Sequence, residues 1–130
     1  MKSAVTDRKP TIVVIDDEPA IRNAMKRFFE RRGWRCIAAA DGAEAELVLF
    51  PFGERCEVDV VLCDVRLPFK SGLELFARAA NERPELTGRW VLSSGDAEGV
   101  SVGCPVLAKP FPLSEVASMA DAILSRNLAA

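Results

Sequence analysis

Polar residues with distinct chemistry stand directly after apolar runs at four places in the sequence. Asp16 and Asp17 follow the run TIVVI, Asp64 follows VVLC, Ser94 follows WVLS, and Lys109 follows VLA. If these runs are parallel strands, their carboxyl ends meet at one edge of an open sheet, where such sheets bind ligands. The sequence therefore predicts one site with three carboxylates, a hydroxyl and an ammonium group.

This set of groups suits phosphoryl chemistry on a metal ion. Three carboxylates at one sheet edge repel one another unless a cation lies among them, and Mg²⁺ prefers carboxylate, water and phosphate oxygens as ligands. One carboxylate could then attack phosphorus, while Lys109 neutralises charge on the transferred group and Ser94 donates a hydrogen bond to it. Pro110 permits a cis peptide bond that would direct Lys109 inward.

Each group taken alone has a simpler interpretation. An acidic pair before Glu18 and Pro19 is typical of a helix start, Asp64 could cap a loop, and Lys109 could be a solvated charge. Their joint occurrence at three strand ends favours a functional site. Of two adjacent hydroxyls, Ser94 rather than Ser93 is predicted to belong to it.

The elements that would position these residues alternate between strand and helix. Apolar, β-branched runs predict five strands, at residues 11–15, 34–40, 58–63, 90–93 and 105–108. Helices are predicted from residue 19 to the glycine at 33, from a capping box at residues 41–44 to about residue 50, from a second capping box at residues 71–74, and along an apolar stripe at residues 116–124.

Repeated strand and helix units with right-handed crossovers predict a doubly wound, five-stranded parallel sheet. Only 14 residues separate Ser94 from Lys109, and residues 95–103 (GDAEGVSVG) contain three glycines, which disfavour a stable helix. The fourth helix, between the fourth and fifth strands, is therefore predicted to be shortened or missing.

Length and composition limit the classes of protein. The 130 residues suit a single domain, with a loose tail at residues 1–9 and the folded domain at residues 10–127. A net charge of -2 and a pI near 5.2 offer no basic face for nucleic acid. With no histidine and four cysteines without a CxxC pair, zinc-site spacing and histidine catalysis are excluded. Neither a signal peptide nor a membrane span is predicted, and the scattered cysteines favour a reducing compartment, so we expect a cytoplasmic protein.

Four segments together resemble the receiver domains of bacterial two-component response regulators, such as the chemotaxis regulator. They are VVIDDEP at residues 13–19, VVLCDVRLPFKSGLELF at residues 60–76, LSSG at residues 92–95 and LAKPF at residues 107–111. The resemblance implies a flavodoxin-like fold with strand order 2-1-3-4-5. It implies a domain that catalyses its own phosphorylation on Asp64 and turns over no external substrate.

The resemblance also assigns a role to each residue of the site. It implies that Asp16 and Asp17 form the acidic pair of a Mg²⁺ site, together with the phosphoacceptor Asp64 and the backbone carbonyl of Arg66. Ser94 would be the switch hydroxyl, and Lys109 the lysine that contacts phosphate.

The partners implied by the resemblance are a sensor histidine kinase or a histidine phosphotransfer protein, and then a downstream protein or a second copy of the chain. Helix one, with Arg22 and Lys26 expected at its exposed face, is the predicted docking face for the donor. The chain is either a stand-alone regulator or a receiver segment of a longer protein such as a hybrid histidine kinase.

The sequence departs from the family pattern at two points. The aromatic switch residue usually found shortly before the lysine corresponds here to Val106, and the chain contains no tyrosine. The shortened fourth helix belongs to the face that commonly mediates output or dimerisation in the family. Both departures put phosphorylation-dependent signalling through that face in doubt.

Two other functions stay open at the level of sequence. A Mg²⁺-dependent phosphohydrolase of similar topology would also form an aspartyl phosphate, but such enzymes usually carry DxD after the first strand, where this chain has DDEP. A receiver that binds partners without phosphate is the second alternative, and the missing aromatic residue and the short fourth helix keep it open.

Overall fold

A parallel sheet of five strands forms the centre of the protein. The computed structural model describes residues 8–96 and 102–129. The strands are β1 (Thr11–Ile15), β2 (Arg35–Ala39), β3 (Val60–Asp64), β4 (Trp90–Ser94) and β5 (Val106–Ala108). Their order is β2-β1-β3-β4-β5, and all the pairs are parallel. The predicted doubly wound sheet and its order are confirmed.

Within the described residues, four α-helices and one 3₁₀ helix connect and cover the strands. They are α1 (Pro19–Arg31), α2 (Gly42–Leu49), α3 (Gly72–Glu82), the 3₁₀ helix (Pro84–Arg89) and the C-terminal helix α4 (Leu113–Ala129). Pro19 occupies the first turn of α1, where its missing N–H is no loss. Gly33, just past the end of α1, has a φ of 84°, which favours glycine.

The two predicted capping boxes differ in detail. At α3, Ser71 accepts a hydrogen bond from the Glu74 amide, and the Glu74 side chain accepts one from the Ser71 amide. At α2, Asp41 accepts from the Glu44 amide, but Glu44 accepts from the amide of Ala40, at 2.6 Å. In the box at residues 41–44, the contact made by the Glu44 side chain is therefore displaced by one residue.

The core lies in two layers, one on each face of the sheet. Val13, Ile15 and Val61 pack on the side of α2 and α3, while Ile12 and Val14 pack on the side of α1 and α4. Because neighbouring side chains of a strand point to opposite faces, both layers require the continuous apolar strands found here. The predicted apolar stripe of α4 is confirmed, since Val116, Ala120 and Ile123 are buried.

Three further predictions concern the fourth helix, the N-terminal tail and membrane spans. Of the segment 95–103, residues 95, 96, 102 and 103 lie outside any helix, and residues 97–101 lie outside the described residues. Arg8, from the predicted tail, pairs with the buried Asp59 at 2.9 Å; the domain boundary itself stays a prediction. Among the described residues, no helix has the length and apolar character needed to cross a membrane.

Candidate functional site

Most of the predicted site residues lie at the carboxyl ends of strands β1, β3, β4 and β5. Asp16 directly follows β1, Asp64 and Ser94 are the last residues of β3 and β4, and Lys109 directly follows β5. Asp16 is 2% exposed, Asp64 7% and Ser94 3%. Polar groups this deeply buried require partners, and the partners of the two carboxylates lie within the site itself.

Lys109 joins the ends of three strands. Its Nζ donates to Asp16 Oδ2 at 2.8 Å and to Asp64 Oδ2 at 2.9 Å. Burial alone would lower the pKa of Lys109, but the hydrogen bonds to Asp16 and Asp64 outweigh it, and the pKa is raised. Lys109 is therefore a fixed positive charge between the two buried carboxylates. The peptide bond between Lys109 and Pro110 is cis.

The three aspartates form a compact acidic cluster. Each of Asp16, Asp17 and Asp64 offers a carboxylate oxygen, and these oxygens lie within 4.8 Å of one another. Asp17 is exposed, whereas the other two are buried. One ammonium group among three carboxylates leaves an excess of two negative charges, which is the charge that a divalent cation would balance.

Backbone amides hold the second oxygen of each buried carboxylate. The Glu18 amide donates to Asp16 Oδ1 at 2.9 Å, and the Arg66 amide donates to Asp64 Oδ1 at 3.2 Å. Because each carboxylate is held at both oxygens, its orientation is fixed before any ligand binds.

Ser94 is linked to Lys109 through its backbone, whereas its hydroxyl bonds to a residue outside the acidic cluster. The Lys109 amide donates to the Ser94 carbonyl at 2.9 Å, and Ser94 Oγ accepts from the Asp96 amide at 3.0 Å. The neighbouring Ser93 is the register partner of Asp64 across β3 and β4, and its carbonyl accepts from the Val65 amide. Both serines are buried, and the assignment of the switch hydroxyl to Ser94 stays a prediction.

Two residues of the site escaped the sequence prediction. Arg22, expected at an exposed face, is half-buried and donates to the Asp16 carbonyl at 2.8 Å. Gly72 begins α3 so close to β3 that a Cβ atom there would collide with the Asp64 carbonyl oxygen. Glycine is a poor helix former, so its presence in the first turn of α3 is the one feature of the sequence that indicates a close approach to another segment.

Val106, at the position of the family's aromatic switch, is partly buried and packs against the α2 and α3 side of the core. The side chain of Arg66 is exposed, as expected for a residue predicted to act through its backbone carbonyl.

Comparison with known proteins identifies the family. Residues 12–120 match the response regulator receiver domain. This match covers well over half of the chain, and the chain therefore belongs to the receiver domain family of two-component signalling. The predicted family is confirmed.

The relatives of this chain include response regulators and a sensor kinase. The aerobic respiration control protein ArcA of Escherichia coli (strain K12) is 32% identical over 125 residues, which cover 92% of this chain and 50% of ArcA. The sensor kinase CckA of Brucella abortus is 29% identical over 124 residues, which cover 90% of this chain and 13% of the kinase. The chain thus spans about half the length of ArcA and a smaller part of CckA.

Solved structures agree on the fold. A receiver domain protein from Clostridium thermocellum superposes with a TM-score of 0.80 at 21% identity, covering 92% of this chain and 98% of that one. The regulator TrrA from Thermotoga maritima, solved in complex with Mg²⁺ and beryllofluoride, gives a TM-score of 0.76 at 24% identity, covering 88% and 99%. At these identities the likeness shows the fold.

Proposed function

We propose that this receiver domain accepts a phosphoryl group on Asp64. The observation that carries the proposal is the pair of hydrogen bonds from Lys109 to Asp16 and Asp64, within a cluster of three carboxylates. An Asp64 oxygen attacks the phosphorus atom of the donor, the bond from phosphorus to the leaving group breaks, and its electron pair stays with that group. The product is an acyl phosphate on Asp64.

The residues around Asp64 fit Mg²⁺. Asp16, Asp17 and Asp64 would hold the ion together with the backbone carbonyl of Arg66, since Mg²⁺ is commonly bound by one or two carboxylates and completes its shell with water and phosphate oxygens. When bound, Mg²⁺ supplies positive charge that offsets the negative charge of the transferred group. Lys109 holds a proton beside Asp64 and pairs with a phosphoryl oxygen, and the hydroxyl of Ser94 donates a hydrogen bond to another.

The most direct test is intact-mass spectrometry after incubation with acetyl phosphate, with and without Mg²⁺. We expect one added phosphoryl group in the presence of Mg²⁺ and none in its absence, and the Asp64→Asn variant should remain unmodified. An equal adduct on the Asp64→Asn variant would contradict the proposal.

The domain turns over no external substrate in this proposal. A phosphohydrolase with the same acidic cluster would instead release inorganic phosphate continuously from a generic phosphomonoester. Sustained release from p-nitrophenyl phosphate that disappears in the Asp64→Asn variant would support that second function.

The donor is a sensor histidine kinase or a histidine phosphotransfer protein that docks on α1. An apolar groove of about 410 Å³ lies beside the site, between α1 and the segment after β5. Its lining includes Ile21, Ala24 and Met25 of α1, Phe111 after β5, and Lys109, whose Nζ donates to Asp64. A helix of the donor seated in this groove would bring its phosphohistidine to the phosphoacceptor.

Substitutions on α1 test this docking face. Lys26→Ala should slow phosphotransfer from a phosphorylated histidine phosphotransfer domain and leave phosphorylation by acetyl phosphate unchanged, because Lys26 is exposed and lies outside the site. Arg22→Ala should slow both reactions, since Arg22 also holds the Asp16 carbonyl. Arg31→Ala, at the far end of the same helix, is the matched control. Equal rates for Lys26→Ala and the parent protein would count against docking at this face.

A further inference from the structure

The contact between the start of α3 and the end of β3 bears directly on the phosphoacceptor. A Cβ atom built on Gly72 would overlap the Asp64 carbonyl oxygen and would come within 3.0 Å of both the Asp64 carbonyl carbon and Cys63 Sγ. Real Cβ atoms do not approach a backbone atom so closely. The contact therefore exists only because residue 72 has no side chain.

The same glycine closes the loop that carries the backbone carbonyl of Arg66, the proposed Mg²⁺ ligand. The Gly72 amide donates to the Val65 carbonyl at 2.8 Å, and the Arg66 amide donates to Asp64 Oδ1. Residues 65–72 thus leave β3 at Asp64 and return to it at Gly72, and Arg66 lies inside this closed loop.

The helix side of the contact is equally well fixed. Ser71 and Glu74 form a complete capping box, which fixes the conformation of the first turn of α3. A side chain at residue 72 could be accommodated only by moving this turn away from β3, or by moving Asp64 itself.

We propose that Gly72 is a positioning residue of the phosphorylation site: its lack of a side chain seats α3 on the Asp64 carbonyl and sets the positions of the Asp64 carboxylate and the Arg66 carbonyl together. The effect on phosphorylation rests on the proposed phosphorylation of Asp64, and the effect on Mg²⁺ affinity rests on the proposed Mg²⁺ site. Gly72 touches no substrate and acts through Asp64 and the loop.

The test compares Gly72→Ala with two controls. Gly88→Ala adds a methyl group where nothing lies within 4 Å, and Val58→Ala removes a buried side chain before β3 begins, which lowers stability generally. Mg²⁺ affinity is measured by calorimetry, and the phosphorylation rate constant is measured at saturating Mg²⁺ and acetyl phosphate.

Gly72→Ala should weaken Mg²⁺ binding about 10-fold or more and lower the saturated rate constant by up to about 100-fold, since a misplacement of about 1 Å can have that effect. Both controls should keep the parent affinity and rate constant, although Val58→Ala unfolds more easily. Parent-like Mg²⁺ affinity and rate constant in folded Gly72→Ala would overturn the proposal.

Two further variants separate positioning from core packing. Adding Cys63→Ala to Gly72→Ala removes the sulfur contact but not the carbonyl contact, so Mg²⁺ affinity should stay low; full recovery would overturn the proposal. If Gly72→Ala does not fold, Ser71→Ala loosens the same turn without adding atoms and should weaken Mg²⁺ binding in the same direction. An unchanged affinity in Ser71→Ala would then count as a contradiction.

The two proposals fail in distinguishable ways. If the parent protein binds Mg²⁺ but takes up no phosphoryl group, the proposed function is wrong, and the Mg²⁺ affinities of the variants still decide the role of Gly72.

Discussion

At the scale of single residues, Lys109 determines the electrostatics of the site. Its side chain is 16% exposed and lies between Asp16 and Asp64, whose side chains are 3% and 9% exposed. Removing one partner from such a group leaves buried charges without compensation, which is more costly than the loss of an exposed pair. The ammonium group also occupies carboxylate oxygens that a metal ion would approach.

Lys109→Met should therefore destabilise the protein in EDTA by about 1–3 kcal/mol, and Mg²⁺ should stabilise the variant more than the parent protein, because the ion replaces the missing positive charge. Urea unfolding with EDTA and with excess Mg²⁺ measures both effects. Lys70→Met, which removes a surface ion pair with Glu46, should change stability by less than about 1 kcal/mol. A Lys109→Met variant as stable as the parent protein in EDTA would contradict this account.

At the scale of secondary-structure elements, Glu46 connects α2 to the loop after β3 and to α3. It pairs with Lys70 at 3.0 Å and with Arg78 at 2.6 Å. The hydrogen bond from Lys70, aided by that from Arg78, lowers the pKa of Glu46. Because the pKa is lower in the folded state, the ionised carboxylate stabilises the fold at pH values above its ordinary value of 4.5 and loses this effect as the pH falls through the folded pKa.

The stability difference between the parent protein and Glu46→Gln should accordingly be present at neutral pH and shrink as the pH falls below 4.5 and through the lowered pKa of Glu46. Urea unfolding across this pH range measures it. In a Lys70→Met background the stability difference should be smaller at neutral pH, since the hydrogen bond that contributes most to lowering the pKa of Glu46 is gone. A difference that grows on acidification would show that the pairing is not stabilising.

The elements differ in how far the sequence predicts them. The strands were predictable because burial on both faces requires unbroken apolar runs, and α3 because its capping box lies next to an amphipathic stripe. The 3₁₀ helix at Pro84–Arg89 escaped prediction, since a short polar segment after a proline has no periodicity. Arg83 is 4% exposed and donates to the Leu49 carbonyl at the end of α2, a contact between distant segments that no local pattern indicates.

At the scale of the whole molecule, the topology brings together residues that are far apart in sequence. Lys109 bonds to Asp16 across a separation of 93 residues and to Asp64 across 45. The rule that parallel strands gather their carboxyl ends predicts the meeting of these residues. It does not predict which oxygen accepts which proton, nor the approach of Gly72, because these depend on the packing of loops against strand ends.

The location of the phosphoryl group tests the central claim most directly. The protein is incubated with acetyl phosphate and Mg²⁺, and the acyl phosphate is reduced with borohydride, which converts a phosphorylated aspartate to homoserine. Peptide mass spectrometry then finds the modified position. This account predicts homoserine at position 64 alone, and none without Mg²⁺. Homoserine at position 16 or 17, with position 64 unmodified, would contradict it.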